Sequence, residues 1–287
     1  MTKPVANMAA SVRARLLNRA REASQPFDIL LIRYVLERLL YRLSQTPHAD
    51  RFVLKGAMLL TTWLPHTQRG TRDLDLLGLG ASGEERILGI FRHVMAIDAG
   101  DGVAFDLDAL HVDQIREQLK YGGLRLRTTA AVDGARVAVV VDIGFGDSVE
   151  PGLELIDYPV LLDFPAPTLR AYARETVVAE KFQAMVALGR PNTRMKDFYD
   201  IWILLKSHVF DPGRLARAIT ATFARRETAI PIDLPDALSE AFARDDAKQR
   251  QWRAFISDLP DAPPDLAVVV ADLERFLMPM AAAARDI

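Results

Sequence analysis

Residues 52–77 read FVLKGAMLLTTWLPHTQRGTRDLDLL, and this stretch decides the fold. It predicts a short strand over 52–54, a glycine turn, a helix over 57–64 and a second strand over 72–77. Asp73 and Asp75 lie two residues apart in the second strand. Because strand side chains alternate, both carboxylates should share one face, roughly 7 Å apart. Such a pair is a candidate site for a divalent cation.

Gly56 is a candidate phosphate-binding position, because it lies where the chain leaves the first strand. The helix that follows would present unpaired N–H groups to an anion. Carboxylates within reach of such a turn suit Mg²⁺ held between protein and nucleotide. Each feature also has an ordinary explanation. A glycine between a strand and a helix is often only a turn, and an Asp-x-Asp pair is often a solvated face.

The combination of these features is more specific than its parts. Lys55-Gly56, followed after sixteen residues by Asp-Leu-Asp, resembles the first motif of the polymerase-β-like nucleotidyltransferase superfamily. The fuller string RGTRDLD over 69–75 resembles the AbiEii/AbiGii-type nucleotidyltransferase toxins. The resemblance implies that Lys55, Gly56 and Thr71 contact the nucleotide. Ala57 departs from the pattern, which often has Ser or a second Gly there, so phosphate binding would rest on backbone N–H groups and lysines.

Length and composition set the broad class. The 287 residues allow one or two domains, and the 50% hydrophobic and 26% charged content is ordinary for a globular protein. The absence of cysteine excludes disulfides, Cys-ligated zinc and thiol nucleophiles. The first seven residues lack the apolar core of a signal peptide, and no run of about 18 apolar residues suggests a membrane span. We therefore expect a cytoplasmic protein without membrane contact.

Charge is distributed unevenly along the chain. Residues 1–55 carry ten Lys/Arg against four Asp/Glu, and residues 170–253 carry fifteen against eleven. Residues 82–163, between them, carry seven against fifteen. A metal-binding centre flanked by basic surface for a polyanion would show this pattern, as would solvated helix faces. The same two readings apply to the arginines of the first helices, at positions 13, 15, 19, 21, 33, 38 and 42.

The first 166 residues predict a mixture of helices and strands. Helical periodicity covers residues 8–46 with a break at Gln25-Pro26, and a further helix over 86–97 should begin at a capping box formed by Ser82 and Glu85. Strand patterns cover 103–112, 123–132 and 136–145, and Asp133-Gly134 is a hairpin signal between the last two.

Asp142 is the one charged residue in the otherwise apolar string VAVVVDIGF. A carboxylate in a buried strand costs free energy unless it is paired or bound to a metal. It could cap the following turn, or it could be a third metal-binding or general-base carboxylate beside Asp73 and Asp75. Within the superfamily such an acid often activates the attacking hydroxyl, and the resemblance implies the same role here.

A domain boundary is expected near residue 166, where prolines 159, 165 and 167 mark a connector. Beyond it the chain reads as nearly all helix, with segments over 175–188, 194–205, 211–226, 234–257 and 264–278. We therefore expect an α/β fold followed by an all-α part. Residues 1–165 would form a nucleotidyltransferase-like mixed sheet core with N-terminal helices, and residues 166–287 a C-terminal helical bundle.

Lys181 falls inside the apolar stripe of the helix over 175–188. A lysine in this position usually extends its ammonium to the edge of the core, although it could instead reach a phosphate. The string VAEKF around Lys181 resembles the third motif of the AbiEii/AbiGii family, in which the lysine binds the triphosphate.

The string RMKDFYD over 194–200 is the most family-specific in the chain. On spacing alone, its charged residues could be a network of surface ion pairs. It resembles the fourth motif of the same toxins, in which an aspartate supports activity by orienting the lysine or the nucleotide. The resemblance thus adds Asp197 to the catalytic residues and Arg194, Lys196 and Asp200 to the nucleotide-binding ones.

These observations predict a Mg²⁺-dependent nucleotidyltransferase that uses Asp73, Asp75 and Asp142 as metal ligands. The resemblance implies a toxin of a toxin–antitoxin or phage-defence pair, with a nucleoside triphosphate substrate, a tRNA 3′ end as acceptor and a separate antitoxin. It also suggests Thr71 as a target of inactivating phosphorylation. Two alternatives stay open: nucleotidylation of a protein or small-molecule hydroxyl, and a non-catalytic nucleotide-binding protein with this fold.

Overall fold

The computed structural model describes residues 7–64, 69–80, 83–115 and 122–287. The chain divides into two compact units. The first, here called the sheet unit, comprises Met1–Gly146 and Glu154–Ala171, and the second, the helical unit, comprises Asp147–Leu153 and Tyr172–Ile287. Because the chain passes between the units at more than one place, the single boundary expected near residue 166 stays a prediction.

The sheet unit opens with two helices, α1 (Met8–Glu22) and α2 (Phe27–Ser44). The Asn7 side chain caps α1 by accepting the Ala10 N–H at 3.0 Å. Pro26 precedes α2, at the break that the sequence predicts. The apolar residues Val12, Leu16 and Ala20 of α1 are buried, as their helical spacing requires.

Most of the remaining elements of the sheet unit are the strands of one mixed sheet. Its strands are β1 (Phe52–Lys55), β2 (Leu74–Gly78), β3 (Ala104–Phe105), β4 (His111–Ile115), β5 (Gly123–Val132), β6 (Ala135–Phe145), β7 (Leu153–Asp157) and β8 (Thr168–Tyr172). The helices between them are α3 (Leu60–Trp63) and α4 (Glu84–Met95). The strand order is β3-β5-β6-β2-β1-β8-β7, with β4 also paired to β5. The β2–β6 and β1–β8 pairs are parallel, and β1–β2, β3–β5, β4–β5 and β5–β6 are antiparallel.

Several local expectations for the sheet unit need correction. The predicted helix over 57–64 is a 3₁₀ turn, Gly56–Leu59, followed by the four-residue α3. The predicted strand over 103–112 is divided into β3 and β4, because Asp106 Oδ1 accepts the N–H groups of Asp108 and Ala109 and closes a turn there. Ser82, the expected cap of α4, lies outside the described residues.

The helical unit contains α5 (Arg174–Leu188), α6 (Met195–Ser207), α7 (Pro212–Arg225), α8 (Glu240–Ala243), α9 (Asp246–Phe255) and α10 (Leu266–Arg285). The helix expected over 234–257 is interrupted, because Ser239 and Asp245 each cap a new helix. Trp252 is fully buried in the core of this unit. The prediction of an α/β part followed by an all-α part is confirmed. Among the described residues, no helix combines the length and the apolar character needed to cross a membrane.

Candidate active site

A row of five charged side chains crosses the sheet. Lys55 of β1 is paired with Asp75 of β2, and Asp75 is paired with Asp142 of β6. Asp142 is paired in turn with Arg125 of β5. Residues that are directly opposite one another in neighbouring strands point to the same face. Arg125 is paired on its other side with Asp113 of β4. The row therefore presents two carboxylates side by side, Asp75 and Asp142, with a basic residue on each side of this pair.

Asp73 joins this row from just outside the strand. The sequence predicts Asp73 within the strand, but β2 begins one residue later, at Leu74. The Thr71 hydroxyl donates to Asp73 Oδ1 at 2.5 Å. Asp73, Asp75 and Asp142 each offer one carboxylate oxygen, and these three atoms lie within 4.8 Å of one another. Such a set of hard oxygen ligands fits Mg²⁺, so the residues expected to hold the metal do come together.

Asp142 does not cap the turn after its strand. It lies inside β6, three residues before the strand ends, and its carboxylate accepts two hydrogen bonds from Arg125. Arg125 Nε lies 2.6 Å from Oδ1, and Arg125 Nη2 lies 2.6 Å from Oδ2. This two-pronged pairing offsets the cost of placing a carboxylate in the sheet. Arg125 is the residue of the site that the sequence analysis did not single out.

Gly56 has a function that its position in the turn did not reveal. Its φ of +72° lies in the left-handed region, where glycine is favoured. A Cβ at this residue would lie 2.0 Å from Asp75 Oδ2, so a side chain there would displace the carboxylate. Gly56 thus provides space for Asp75. The helix expected after Gly56 is the 3₁₀ turn Gly56–Leu59 followed by the four-residue α3, and phosphate binding at this turn stays a prediction.

Lys181 lies on α5 in the helical unit, and it does not extend to solvent. Its Nζ donates to Asp197 Oδ1 at 2.7 Å and to Asp200 Oδ2 at 2.9 Å. Both aspartates, on α6, are fully buried, whereas 12% of the lysine side chain is exposed. The alternative readings, a lysine that extends to the edge of the core and a network of surface ion pairs, are therefore wrong. Phosphate binding by Lys181 stays a prediction. The third and fourth motifs meet in a buried ion cluster.

Lys181 and Asp197 each stabilise the charged form of the other. Burial by itself would lower the pKa of Lys181, but Asp197 and Asp200 outweigh this effect and raise that pKa above its ordinary range. Burial would likewise raise the pKa of Asp197, but Lys181 and then Arg194 outweigh it and lower that pKa. Arg194 Nε lies 2.7 Å from Asp197 Oδ2, while Lys196 is exposed on α6.

Two arginines of α2 are structural and unavailable to a polyanion. Arg38 and Arg42 are buried, and both pair with the buried carboxylate of Asp101. Arg15 and Arg19 of α1 are also engaged, by the Asp163 side chain and by the Leu161 carbonyl. The reading of these arginines as a solvated or nucleic-acid-binding face is therefore wrong for Arg38 and Arg42.

Comparison with known proteins identifies one family of nucleotidyltransferases. A family model described as nucleotidyl transferase AbiEii toxin, type IV toxin–antitoxin system, matches residues 38–278. The crystal structure of JHP933 from Helicobacter pylori aligns with a TM-score of 0.50 at 16% identity, covering 91% of this chain and 94% of that one. A second H. pylori crystal structure, of a candidate nucleotidyltransferase, gives 0.49 at 17% identity, with 90% and 94% covered. A search of curated proteins finds no match.

Proposed function

The chain belongs to the nucleotidyl transferase AbiEii toxin family of type IV toxin–antitoxin systems, and we propose on that premise that it transfers a nucleoside monophosphate from a nucleoside triphosphate to an acceptor hydroxyl. The observation that carries this proposal is the group of three carboxylates formed by Asp73, Asp75 and Asp142. The leading candidate for the acceptor is the 3′ end of a tRNA.

Asp73, Asp75 and Asp142 would hold Mg²⁺. When bound, Mg²⁺ supplies charge stabilisation at the phosphoryl group that is transferred. The Thr71 hydroxyl donates to Asp73 and orients that carboxylate before substrate arrives, and Gly56 leaves the space that the Asp75 carboxylate occupies. Asp142 is the candidate base for the acceptor hydroxyl. An ionised carboxylate has about four lone-pair positions, so its two bonds to Arg125 leave capacity for a further contact.

Lys181 is the candidate phosphate-binding lysine of the helical unit. An ammonium has three N–H donors, and Asp197 and Asp200 accept two of them, so one donor remains for a phosphate oxygen. Asp197 and Asp200 then act as positioning residues that fix the ammonium. Arg194 and Lys196 are the further candidate nucleotide-binding residues of the helical unit, and Lys55, opposite Asp75, is the candidate nucleotide-binding lysine of the sheet unit.

Membership of a type IV toxin–antitoxin family implies an antitoxin partner. We propose that this partner is a separate protein and that the reaction takes place in the cytoplasm, which the absence of cysteine favours. Nucleotidylation of a protein or a small molecule is the main alternative. A non-catalytic nucleotide-binding protein is less well supported, because Asp73 and Asp75 are both present and both belong to the group of three carboxylates.

The direct test incubates the protein with each labelled nucleoside triphosphate, Mg²⁺ and total RNA, and follows the label. Asp73→Asn and Asp75→Asn should each slow nucleotidyl transfer, because loss of one metal ligand should cost several kcal/mol of transition-state stabilisation. Both variants should retain the fold. Asp108→Asn is the matched control, because Asp108 is an exposed carboxylate in the turn between β3 and β4 of the same sheet. Near-normal transfer by either site variant would remove these residues from the metal site. Label on protein or on a small molecule would replace tRNA as the acceptor.

Salt dependence gives an independent test of an RNA acceptor. Each phosphate that is neutralised should lower log K by about 0.7 to 0.9 per unit of log salt, whereas a small molecule should show little slope. Arg190 and Arg194 are unsuited to charge reversal, since they already pair with Asp236 and Asp197. The exposed Arg250 and Arg253 of α9 are better targets, and both should be changed to Glu.

The matched control reverses the charge of two exposed arginines on α4, Arg86 and Arg92, in the acidic middle of the chain. The α9 double variant should weaken tRNA binding and reduce the salt slope, and the α4 double variant should do neither. A flat salt response of the unmodified protein would contradict the RNA assignment and favour the small-molecule alternative.

A further inference from the structure

The Arg125–Asp142 pair is built into the centre of the sheet. It lies in the β5–β6 hairpin, in which nine consecutive residue pairs run from Leu124 and Ile143 to Val132 and Ala135. The side chains are 34% and 17% exposed, and both guanidinium contacts are 2.6 Å. A bidentate pair of this kind fixes the orientation of the Asp142 carboxylate and also places a positive charge against it.

Arg125 also changes the electrostatics of the candidate metal site. Three carboxylates with oxygens within 4.8 Å of one another form a strongly negative centre, which would attract a divalent ion by itself. The guanidinium lies against both oxygens of Asp142 and offsets the charge of that carboxylate. A divalent ion bound to Asp142 therefore experiences repulsion from Arg125 at short range.

We infer that Arg125 keeps the affinity of the three-carboxylate site for a free divalent ion low, so that the ion is retained together with a nucleoside triphosphate. The triphosphate carries several negative charges, and these offset the repulsion from Arg125. Arg125 thereby couples metal retention to nucleotide binding. This inference rests on the proposed function, because it assigns a role to a residue beside that same metal site.

A different physical account predicts the opposite sign. An outer-shell partner that only orients a metal ligand strengthens metal binding, and its loss weakens affinity by about 10- to 100-fold. If charge repulsion dominates, loss of Arg125 instead strengthens the binding of free metal. The direction of the change therefore separates the two accounts.

The experiment titrates the full chain with Mn²⁺ in the absence of nucleotide and measures free Mn²⁺ by electron paramagnetic resonance. Arg125→Gln should bind Mn²⁺ at least about tenfold more tightly than the unmodified protein. Arg125→Lys keeps the charge and should stay close to the unmodified protein. Arg127→Gln is the matched control, since Arg127 is two residues along β5, lies on the same face and pairs with the exposed Asp113. It should leave Mn²⁺ affinity unchanged.

Two further measurements make the result decisive. Because Arg125 acts through Asp142, Arg125→Gln should change Mn²⁺ affinity much less in an Asp142→Asn background. With a non-hydrolysable nucleoside triphosphate present, the difference between Arg125→Gln and the unmodified protein should shrink. Circular dichroism and melting temperature identify any variant that fails to fold, and Arg125→Lys then provides the comparison.

Unchanged or weaker Mn²⁺ binding by folded Arg125→Gln would overturn the inference. So would a result in which the unmodified protein binds Mn²⁺ equally tightly with and without nucleotide. Neither result would affect the proposed transfer activity. Failure of the proposed function has a different signature: no variant would bind Mn²⁺ under either condition, and that result would overturn both.

Discussion

The carboxylate of Asp75 occupies the space that a side chain at Gly56 would need. A Cβ built on Gly56 would lie 2.0 Å from Asp75 Oδ2 and 2.7 Å from its Cβ, closer than non-bonded atoms approach. The glycine of the first motif and the second aspartate of the Asp-x-Asp pair are therefore one structural unit. Gly56 and Asp75 are nineteen positions apart in the sequence, and the antiparallel pairing of β1 with β2 brings them together.

Gly56→Ala should therefore abolish nucleotidyl transfer. The added methyl group must displace the Asp75 carboxylate, and the residue must also hold a φ of +72° that alanine adopts only with strain. Mn²⁺ binding and transfer should fall together, while circular dichroism shows a retained fold. Gly89→Ala is the matched control, because a Cβ on Gly89 of α4 would meet no atom within 4 Å. Normal metal binding by Gly56→Ala would contradict the steric account.

The sequence contains more of this site than its motifs show. The Asp133-Gly134 turn predicts that residue 132 pairs with residue 135, and counting back seven residues along each strand pairs Arg125 with Asp142. The structure has that register. Arg125 could therefore have been found from the hairpin turn, although no motif includes it. The contact between Gly56 and Asp75 could not, because it depends on the path of the chain through a 3₁₀ turn.

Helical periodicity does not predict which charged residues of a helix are buried. The periodicity of α2 leaves Arg38 and Arg42 off the apolar stripe, yet both are buried against Asp101. Periodicity describes one helix face, whereas burial depends on what packs against the other faces, in this case the segment around Asp101 and the Pro165 carbonyl. For the same reason Lys181 could be placed within its stripe, but its buried partners were not predictable from α5 alone.

Lys181→Ala should lower the free energy of unfolding as well as impair nucleotidyl transfer. Removal of the ammonium leaves the buried Asp197 and Asp200 close together without their shared cation, a change that costs about 3–5 kcal/mol. Denaturant unfolding measures this loss. Lys206→Ala is the matched control, because Lys206 forms a half-exposed pair with Asp272 and should cost at most about 1 kcal/mol. Equal losses for the two variants would contradict the buried cluster.

The function of Lys181 in phosphate binding needs a variant that keeps the cluster charged. Lys181→Arg retains a cation for Asp197 and Asp200 but changes the position of the remaining donor. Triphosphate affinity should fall at least about tenfold, with a smaller loss of stability than Lys181→Ala shows. Unchanged triphosphate affinity in a folded Lys181→Arg protein would leave the lysine as a structural residue.

Asp101→Asn should be strongly destabilising. Arg42 donates to both oxygens of Asp101, at 2.7 and 2.9 Å, and Arg38 Nε donates at 2.8 Å, all in the buried interior of the sheet unit. Loss of this shared carboxylate leaves two buried cations without their ion-pair partner, at a cost of about 3–5 kcal/mol. Asp28→Asn is the matched control, because Asp28 pairs with Arg72 in solvent and its loss should be within about 0.5 kcal/mol. A chemical unfolding curve for each variant checks the difference.

Glu37 should make the protein less stable as pH rises toward 8. Burial raises the pKa of Glu37 to about 8, against the opposing effects of the Leu161 N–H and of Arg33, Arg38 and Arg19. The folded state therefore keeps a proton that the unfolded chain releases above its ordinary pKa of about 4.3. The stabilisation is fully present below that value and is lost as pH rises through the folded pKa, with a slope of up to about 1.4 kcal/mol per pH unit.

Glu37→Gln removes this titration while keeping an acceptor for the Leu161 N–H, which Glu37 Oε2 accepts at 2.9 Å. The unfolding free energy, measured between pH 5 and pH 8, should therefore decline less for Glu37→Gln than for the unmodified protein. Glu22→Gln is the control, since Glu22 is exposed at the end of α1 and its replacement should leave the decline unchanged. If Glu37→Gln and the unmodified protein lose stability in parallel, Glu37 is ionised in the folded state, and its arginine neighbours outweigh its burial.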